Sequence, residues 1–399
     1  LSGLKAYREI LSYGLLVMAV THTMAHAFQN MHTALYPNLV EEFQLSNQQV
    51  GLISSIPSLV SALLSIPMGL LSDRIGAKRM ILLSILVAAL GAVTAGLATG
   101  PLMLVLAVSL LYLNTTIYHP ASYSFTTFLF EPKDRPKALG VQGAGGTLGM
   151  AMGPISISIL VGLLGLGWRK AYLSWIIPLL VGAWLVWRIT YVPTSDDEDQ
   201  QAGSAGTATR KLWSWSLVFF LVFGGLRTMA AGMSNTFLSL WLVNHRGMDL
   251  AQASLIFGAS SLMGIVAAPL GGVLASRYGE KRWTTATTLA SYTSFALAFL
   301  LGSNTAFTAF YLGYGFFNLF SMAANSAITA KLSPSKQRGL GFALYFLPGS
   351  IMGALSPMVA AFIVDYMGIF SVFQASILVL ALAWLVFVLG VRIKDTPQP

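Results

Sequence analysis

A charged segment at residues 72–79, SDRIGAKR, returns at residues 275–282 as ASRYGEKR, and each copy joins two long apolar runs. Gly69, Asp73, Arg74, Gly76, Lys78 and Arg79 recur at a constant offset of 203 as Gly272, Ser276, Arg277, Gly279, Lys281 and Arg282, with only the acid replaced. Six positions in one register mark an internal duplication. A duplicated chain has to build the same bundle twice, and this one has to build it in lipid. Hydrophobic residues make up 55% and charged residues 9%, against about 25% charged in soluble domains.

A bilayer span needs about 20 predominantly apolar residues. Twelve such stretches are present: 10–38, 49–71, 80–98, 102–130, 138–164, 171–191, 213–243, 250–275, 283–302, 305–331, 339–365 and 369–391. The predicted fold is an all-α membrane protein of twelve transmembrane helices in two pseudo-symmetric six-helix halves. Residues 1–192 form the N-terminal half and 213–399 the C-terminal half. The polar, low-complexity stretch 193–212, PTSDDEDQQAGSAGTATRKL, is the cytoplasmic linker between them. Duplicated halves of this kind are typical of secondary transporters, in which two homologous bundles rock around a shared site.

Lys and Arg accumulate on the cytoplasmic side of membrane chains. With the twelve spans assigned, 19 of the 23 Lys and Arg fall on the face that carries both termini and 3 on the other, with Arg227 left inside a span. Both termini are therefore expected in the cytoplasm, and the location is expected to be a prokaryotic plasma membrane. The formal charge of +9 follows from this bias and gives no ground for a nucleic-acid partner. The chain has no cysteine, which removes disulfides, thiolate metal sites and thiol catalysis together. The first apolar run is too long for a signal-peptide core and reads as a retained span.

The segment GLLSDRIGAKR from Gly69 resembles the loop between the second and third spans of the major facilitator superfamily, and the second copy resembles its degenerate counterpart. The resemblance covers essentially the whole chain. Within the superfamily it is nearest to fosmidomycin-resistance-type efflux proteins, through HAFQNMHTALYP from His26, QVGLI from Gln49, the triplet Tyr118, His119 and Pro120, and GMAMGP ending at Pro154. It implies alternating access, and a gating role for Gly69, Asp73, Arg74, Gly76, Arg79, Arg277 and Gly279, whose loop latches the cytoplasmic side. Independently of the resemblance, a short turn between antiparallel helices suits Gly76, and Asp73 suits a helix N-terminus or a nearby cation.

Gly145, Gly149 and Gly153 recur every four residues and precede Pro154; Gly349 and Gly353 precede Pro357 in the same manner. That spacing puts the glycines on one helix face for close backbone approach. The arrangement of Gly149, Gly153 and Pro154 also resembles the superfamily's antiporter motif, which implies efflux and a gating role for all three.

Ionisable residues inside a membrane are costly and usually functional. No carboxylate falls mid-span. His22, His26 and His32 in the first span, His119 in the fourth and Arg227 in the seventh remain, with His32 expected near the outer end. His22, His26 and His119 are the candidate proton carriers, since imidazole changes charge near neutral pH. Arg227, His26, His119, Asn30, Asn114 and Tyr118 are the candidate substrate-binding residues, because a guanidinium takes two oxygens of a carboxylate, phosphate or phosphonate.

The expected activity is proton-coupled transport of a small organic solute, anionic or amphiphilic, with export favoured. The expected partners are the solute, protons and lipid, and a monomer is expected to suffice. No cofactor and no metal site is assigned. One alternative is a soft metal ion such as copper, prompted by Met24, Met31, Met229 and Met233 beside the histidines. Another is an intramembrane enzyme with His119 as base and Ser122 as nucleophile.

Overall fold

The computed structural model describes residues 12–131, 134–189, 214–332 and 338–393, with Asp73, Pro136 and 338–346 described by backbone alone. The expected linker at 193–212 lies outside the described residues. Every regular element among them is helical. The helices are α1 (Tyr13–Ala34), α2 (Tyr36–Phe43), α3 (Asn47–Ile75), α4 (Ala77–Gly96), α5 (Pro101–Phe128), α6 (Arg135–Ile157), α7 (Trp168–Ser174) and α8 (Ile176–Trp187), followed by α9 (Trp215–Asn244), α10 (Leu250–Leu262), α11 (Gly264–Tyr278), α12 (Glu280–Leu300), α13 (Asn304–Phe320), α14 (Met322–Leu332), α15 (Arg338–Met367) and α16 (Ile369–Gly390).

Among the described residues nine segments are long and apolar enough to cross a bilayer by themselves. The other three expected spans are α1, α12 and the α13–α14 pair. The first two are diluted by polar residues, three His in α1 and five Thr in α12, and the pair is interrupted at Ser321. The interruption has a local cause. Trp283 Nε1 donates to the Phe320 carbonyl at 3.1 Å, and the Gly271 backbone packs against that same carbonyl. A side-chain donor inserted into the helix ladder breaks it. The expected span 171–191 is likewise divided at Trp175 into α7 and α8. After Pro154, which has no N–H to donate, α6 widens into a π-helical stretch, Ser158–Leu163.

The duplication is visible in the backbone. Gly76 (φ 88°, ψ 145°) and Gly279 (φ 90°, ψ 135°) adopt the same conformation at the N-caps of α4 and α12, a region essentially closed to residues with a Cβ. Ser12 and Ser214 cap α1 and α9 alike, accepting from the backbone N–H of Leu15 at 3.3 Å and Leu217 at 3.1 Å.

The chain separates into two compact units. One gathers the described residues within Leu1–Leu45, Ile56–Ala202 and Asp249–Gly258; the other gathers those within Ser46–Ser55, Gly203–Met248 and Ala259–Pro399. In the first unit the glycine stripe of α6 lies on α1: a Cβ at Gly145, Gly149 or Gly153 would strike the carbonyl of Ala19, Thr23 or Ala27 in turn. Thr23 Oγ1 sits in this seam, 2.9 Å from the Gly145 carbonyl and 3.0 Å from that of Ala19. In the second unit aromatic side chains fill the core, with Phe223 on Phe387 at 4.7 Å and Trp241 on Phe373 at 5.0 Å between ring centroids. Many large apolar side chains, Leu63, Ile66, Val273 and Leu378 among them, are exposed, as lipid-facing positions require.

Candidate functional site

Close packing of α6 on α1 brings His22 over Gly146, where a Cβ would collide with the imidazole. His22 is buried, while His26 and His119 are half-buried. The α5 helix delivers His119 to the same place. His119 Nε2 lies 3.2 Å from His22 Nε2 and 3.2 Å from His26 Nε2. The ring centroids form a nearly equilateral triangle with sides of 4.9, 5.2 and 5.1 Å.

His22 Nδ1 is 2.8 Å from the Gln142 carbonyl. A carbonyl only accepts, so Nδ1 carries hydrogen and, in the neutral ring, Nε2 presents a lone pair. Both close contacts then converge on His119 Nε2, which has either one hydrogen or one lone pair. At most one of them is a full hydrogen bond. The three nitrogens are arranged to share a cation.

The other candidates in this unit divide. Tyr118 is buried, with its hydroxyl 2.7 Å from the Met18 carbonyl and 2.8 Å from Thr21 Oγ1. Its ring stacks on His22 at 5.5 Å. It ties α5 to α1 and stacks against His22. Asn30 Nδ2 donates to the His26 carbonyl at 2.9 Å, a bond within its own helix. Asn114 is buried and its Nδ2 has no hydrogen-bond partner. Tyr123 stacks on His119 at 5.7 Å and is exposed. Thr21 Oγ1 lies 2.8 Å from the Val17 carbonyl of its own helix and 2.8 Å from the Tyr118 hydroxyl, a partner 97 residues away that no local pattern marks.

Ser122 Oγ donates to the His119 backbone carbonyl at 3.2 Å, so its hydroxyl is not offered to the imidazole as a base–nucleophile pair would require. Met24 sulfur packs toward Gly182, and Met31 and Met233 are buried. The triad is an all-nitrogen set.

Arg227 lies in the second unit, on α9, and lines a cavity of about 360 Å³. Its Nη2 donates to Asn318 Oδ1 at 2.7 Å, and its guanidinium lies 5.1 Å from the centre of the Phe223 ring. Thr228, Tyr292, Tyr314, Asn325 and Ser326 add polar groups; the described lining contains no carboxylate. Thr228, Tyr292, Tyr314 and Ser326 were not singled out from sequence, although Tyr314 and Asn318 stand four apart on one helix face.

Of the proposed gating positions, Arg74, Arg79 and Arg277 are exposed, and the Asp73 side chain lies outside the description. A Cβ at Gly69 would meet nothing within 4 Å, so close packing does not require that glycine. Lys78 Nζ donates to the carbonyls of Trp187 at 3.0 Å and Ile189 at 2.6 Å, holding the C-terminal end of α8.

A duplicated, all-helical membrane chain with a polar cluster in each unit is a carrier of small solutes. The chain belongs to the major facilitator superfamily, whose sequence profile, described as Major Facilitator Superfamily, matches residues 18–233 and again 220–399. It is a secondary transporter and not an enzyme. It is 24% identical over 343 residues to "Probable nitrate transporter NarT" of Staphylococcus epidermidis, 84% of each chain, and 23% identical over 372 residues to "Nitrite extrusion protein" of Bacillus subtilis, 90% of this chain and 88% of that one. The crystal structure of a bacterial homologue of the human lysosomal transporter Spinster, inward-facing and occupied, has the same fold. It superposes with a TM-score of 0.81 at 18% identity over 95% of this chain and 96% of that one.

Proposed function

We propose that this protein transports a small anion by alternating access, with Arg227 as the fixed positive charge of the binding site. The observation that carries the reading is the Arg227 cavity: a half-buried guanidinium, hydrogen-bonded to the amide of Asn318, beside about 360 Å³ whose described lining mixes apolar side chains with several polar groups and contains no carboxylate. That volume is at the low end of small-molecule sites and suits a nitrate-sized or short organic anion. The names of the relatives, nitrate and nitrite carriers, support the same charge class.

The coupling ion is the proton, exchanged at His22, His26 and His119, since no carboxylate was assigned mid-span to take that role. Export is favoured by the arrangement of Gly149, Gly153 and Pro154, by the resemblance to fosmidomycin-resistance-type efflux proteins and by the relative named for nitrite extrusion. The turns at Gly76 and Gly279, with Asp73, Arg74, Arg79 and Arg277, form the cytoplasmic gate, and the halves divide at 193–212. The protein works as a monomer in a prokaryotic plasma membrane with both termini in the cytoplasm.

The test is transport in proteoliposomes with an imposed pH gradient, offering nitrate, nitrite, short carboxylates and phosphonates beside neutral and cationic solutes. Gradient-dependent movement of one or more anions is expected. Movement confined to neutral or cationic solutes overturns the reading.

A further inference from the structure

The geometry points to a transition-metal site at His22, His26 and His119, with Zn²⁺ as the ion it fits. This inference goes beyond anion transport and does not depend on it. A bound ion takes the lone pairs that would accept a proton, so metal and proton compete for these nitrogens and proton exchange here belongs to the metal-free site. The argument begins with the two 3.2 Å contacts that meet at His119 Nε2. No protonation state turns both into full hydrogen bonds, because that nitrogen offers a single hydrogen or a single lone pair. A metal ion at the centre of the triangle accepts all three lone pairs together.

The dimensions agree with that occupant. Zinc binds imidazole nitrogen at about 2.0–2.1 Å in tetrahedral geometry, which sets neighbouring ligand nitrogens about 3.3–3.4 Å apart. Candidate ligand atoms of all three residues lie within 4.8 Å of one another. The two contacts to His119, at 3.2 Å, already have that spacing. His22 also has the outer support that metal-bound histidines use, since its remaining ring nitrogen is held by the Gln142 carbonyl at 2.8 Å. That bond directs Nε2 inward.

Three nitrogen ligands leave the fourth tetrahedral position open, on the side where His26 and His119 are half-buried. With three neutral ligands, that position suits water, hydroxide or a small anion. The absence of thioether sulfur from the triad favours Zn²⁺ over a soft monovalent ion. Spacing alone does not disclose the site. His22 and His26 stand one helical turn apart, and the third ligand arrives 93 residues later from α5.

The test uses untagged full-length protein in detergent, stripped with a chelator and titrated with Zn²⁺ by calorimetry and with Co²⁺ by visible absorption. One ion per chain is expected, with the intense tetrahedral Co²⁺ spectrum. His26→Gln and His119→Gln should each weaken Zn²⁺ by more than the roughly 10–100-fold that loss of an outer-shell partner costs, while His245→Gln, in an external loop, should bind as wild type. Because the chain has no cysteine, His26→Cys gives a positive signature: a cobalt–thiolate charge-transfer band that arises only if position 26 ligates. Unchanged affinity in His119→Gln, or no such band in folded His26→Cys, overturns the site.

Discussion

His22 and His119 meet Nε2 to Nε2 at 3.2 Å although 97 residues separate them, so the first and fifth helices of one unit share a single polar junction. Burial on the α6 glycines fixes His22, and stacking on Tyr123 at 5.7 Å steers His119. On the proposed proton coupling, a proton delivered here would be shared by side chains from two helices.

Replacing His26 and His119 together by Gln should therefore preserve the fold and abolish the response of transport to an imposed pH gradient. Each Gln keeps a polar side chain of similar reach but does not titrate between about pH 5 and 8, where imidazole normally does. Uptake by proteoliposomes with and without the gradient checks this. Full gradient-driven transport by the double variant would exclude both residues as carriers.

Packing of α6 on α1 predicts a sharp contrast between glycines of one helix. At Gly149 a Cβ would press on the Thr23 carbonyl and on His26 Cβ, whereas at Gly143 it would meet nothing within 4 Å. Gly149→Ala should destabilise the protein by about 1–3 kcal/mol, the usual cost of overpacking. Gly143→Ala should be neutral or stabilising by up to about 1 kcal/mol, the helix propensity gained. Thermal unfolding of both variants in the same detergent decides it, and equal midpoints would show that the seam relaxes freely.

Much of this architecture is legible in the sequence because membrane helices advertise themselves locally. The duplicated turn could be read from six residues, and the glycine stripe from its spacing, since a contact every four residues needs only one helix to be seen. The site was less legible. Tyr118 also bridges two helices, its hydroxyl donating to the Met18 carbonyl 100 residues away, and no local pattern marks such a bond. Asn30 Nδ2 donates back to the His26 carbonyl, an option open to any Asn in a helix. Arg227 was conspicuous as a charge in an apolar run, whereas Tyr292 and Tyr314 beside it are indistinguishable in sequence from packing aromatics.

Outside the spans, Glu42 on α2 supports a pH-dependent clamp. Burial raises its pKa, but hydrogen bonds from Trp168 and Arg169 together with the Arg169 charge outweigh this, and the net shift is downward. Trp168 Nε1 donates at 2.5 Å and Arg169 Nη1 at 2.6 Å. A carboxyl with a depressed folded pKa contributes stability that is complete above its ordinary value of 4.5 and lost as pH falls through the lowered folded value. Glu42 and Arg169 are both partly exposed, so the loss is small, up to about 1 kcal/mol. Glu42→Gln should lower the unfolding midpoint slightly at pH 7 and lose its difference from wild type under strong acid. A difference that persists unchanged in acid would assign the effect to packing.

Arg227 gives the most direct test of the substrate's charge. Asn318 accepts from its Nη2 at 2.7 Å in the lining of the cavity, and on the proposed reading the guanidinium is the group that a carboxylate, nitrate or phosphonate meets there. Arg227→Lys keeps the charge and loses the fork, so it should retain weak binding with poor discrimination among anions. Arg227→Gln loses both. Hydrogen bonds to a charged group contribute about 1.5–3 kcal/mol, so anion affinity in Arg227→Gln should fall by at least about tenfold. Asn318→Ala should fall between the two, because the guanidinium remains but is no longer aimed. Calorimetry on the folded variants, using an anion identified in the transport assay, measures all three. Equal affinity in wild type and Arg227→Gln would make this arginine a structural residue and move the anion site elsewhere.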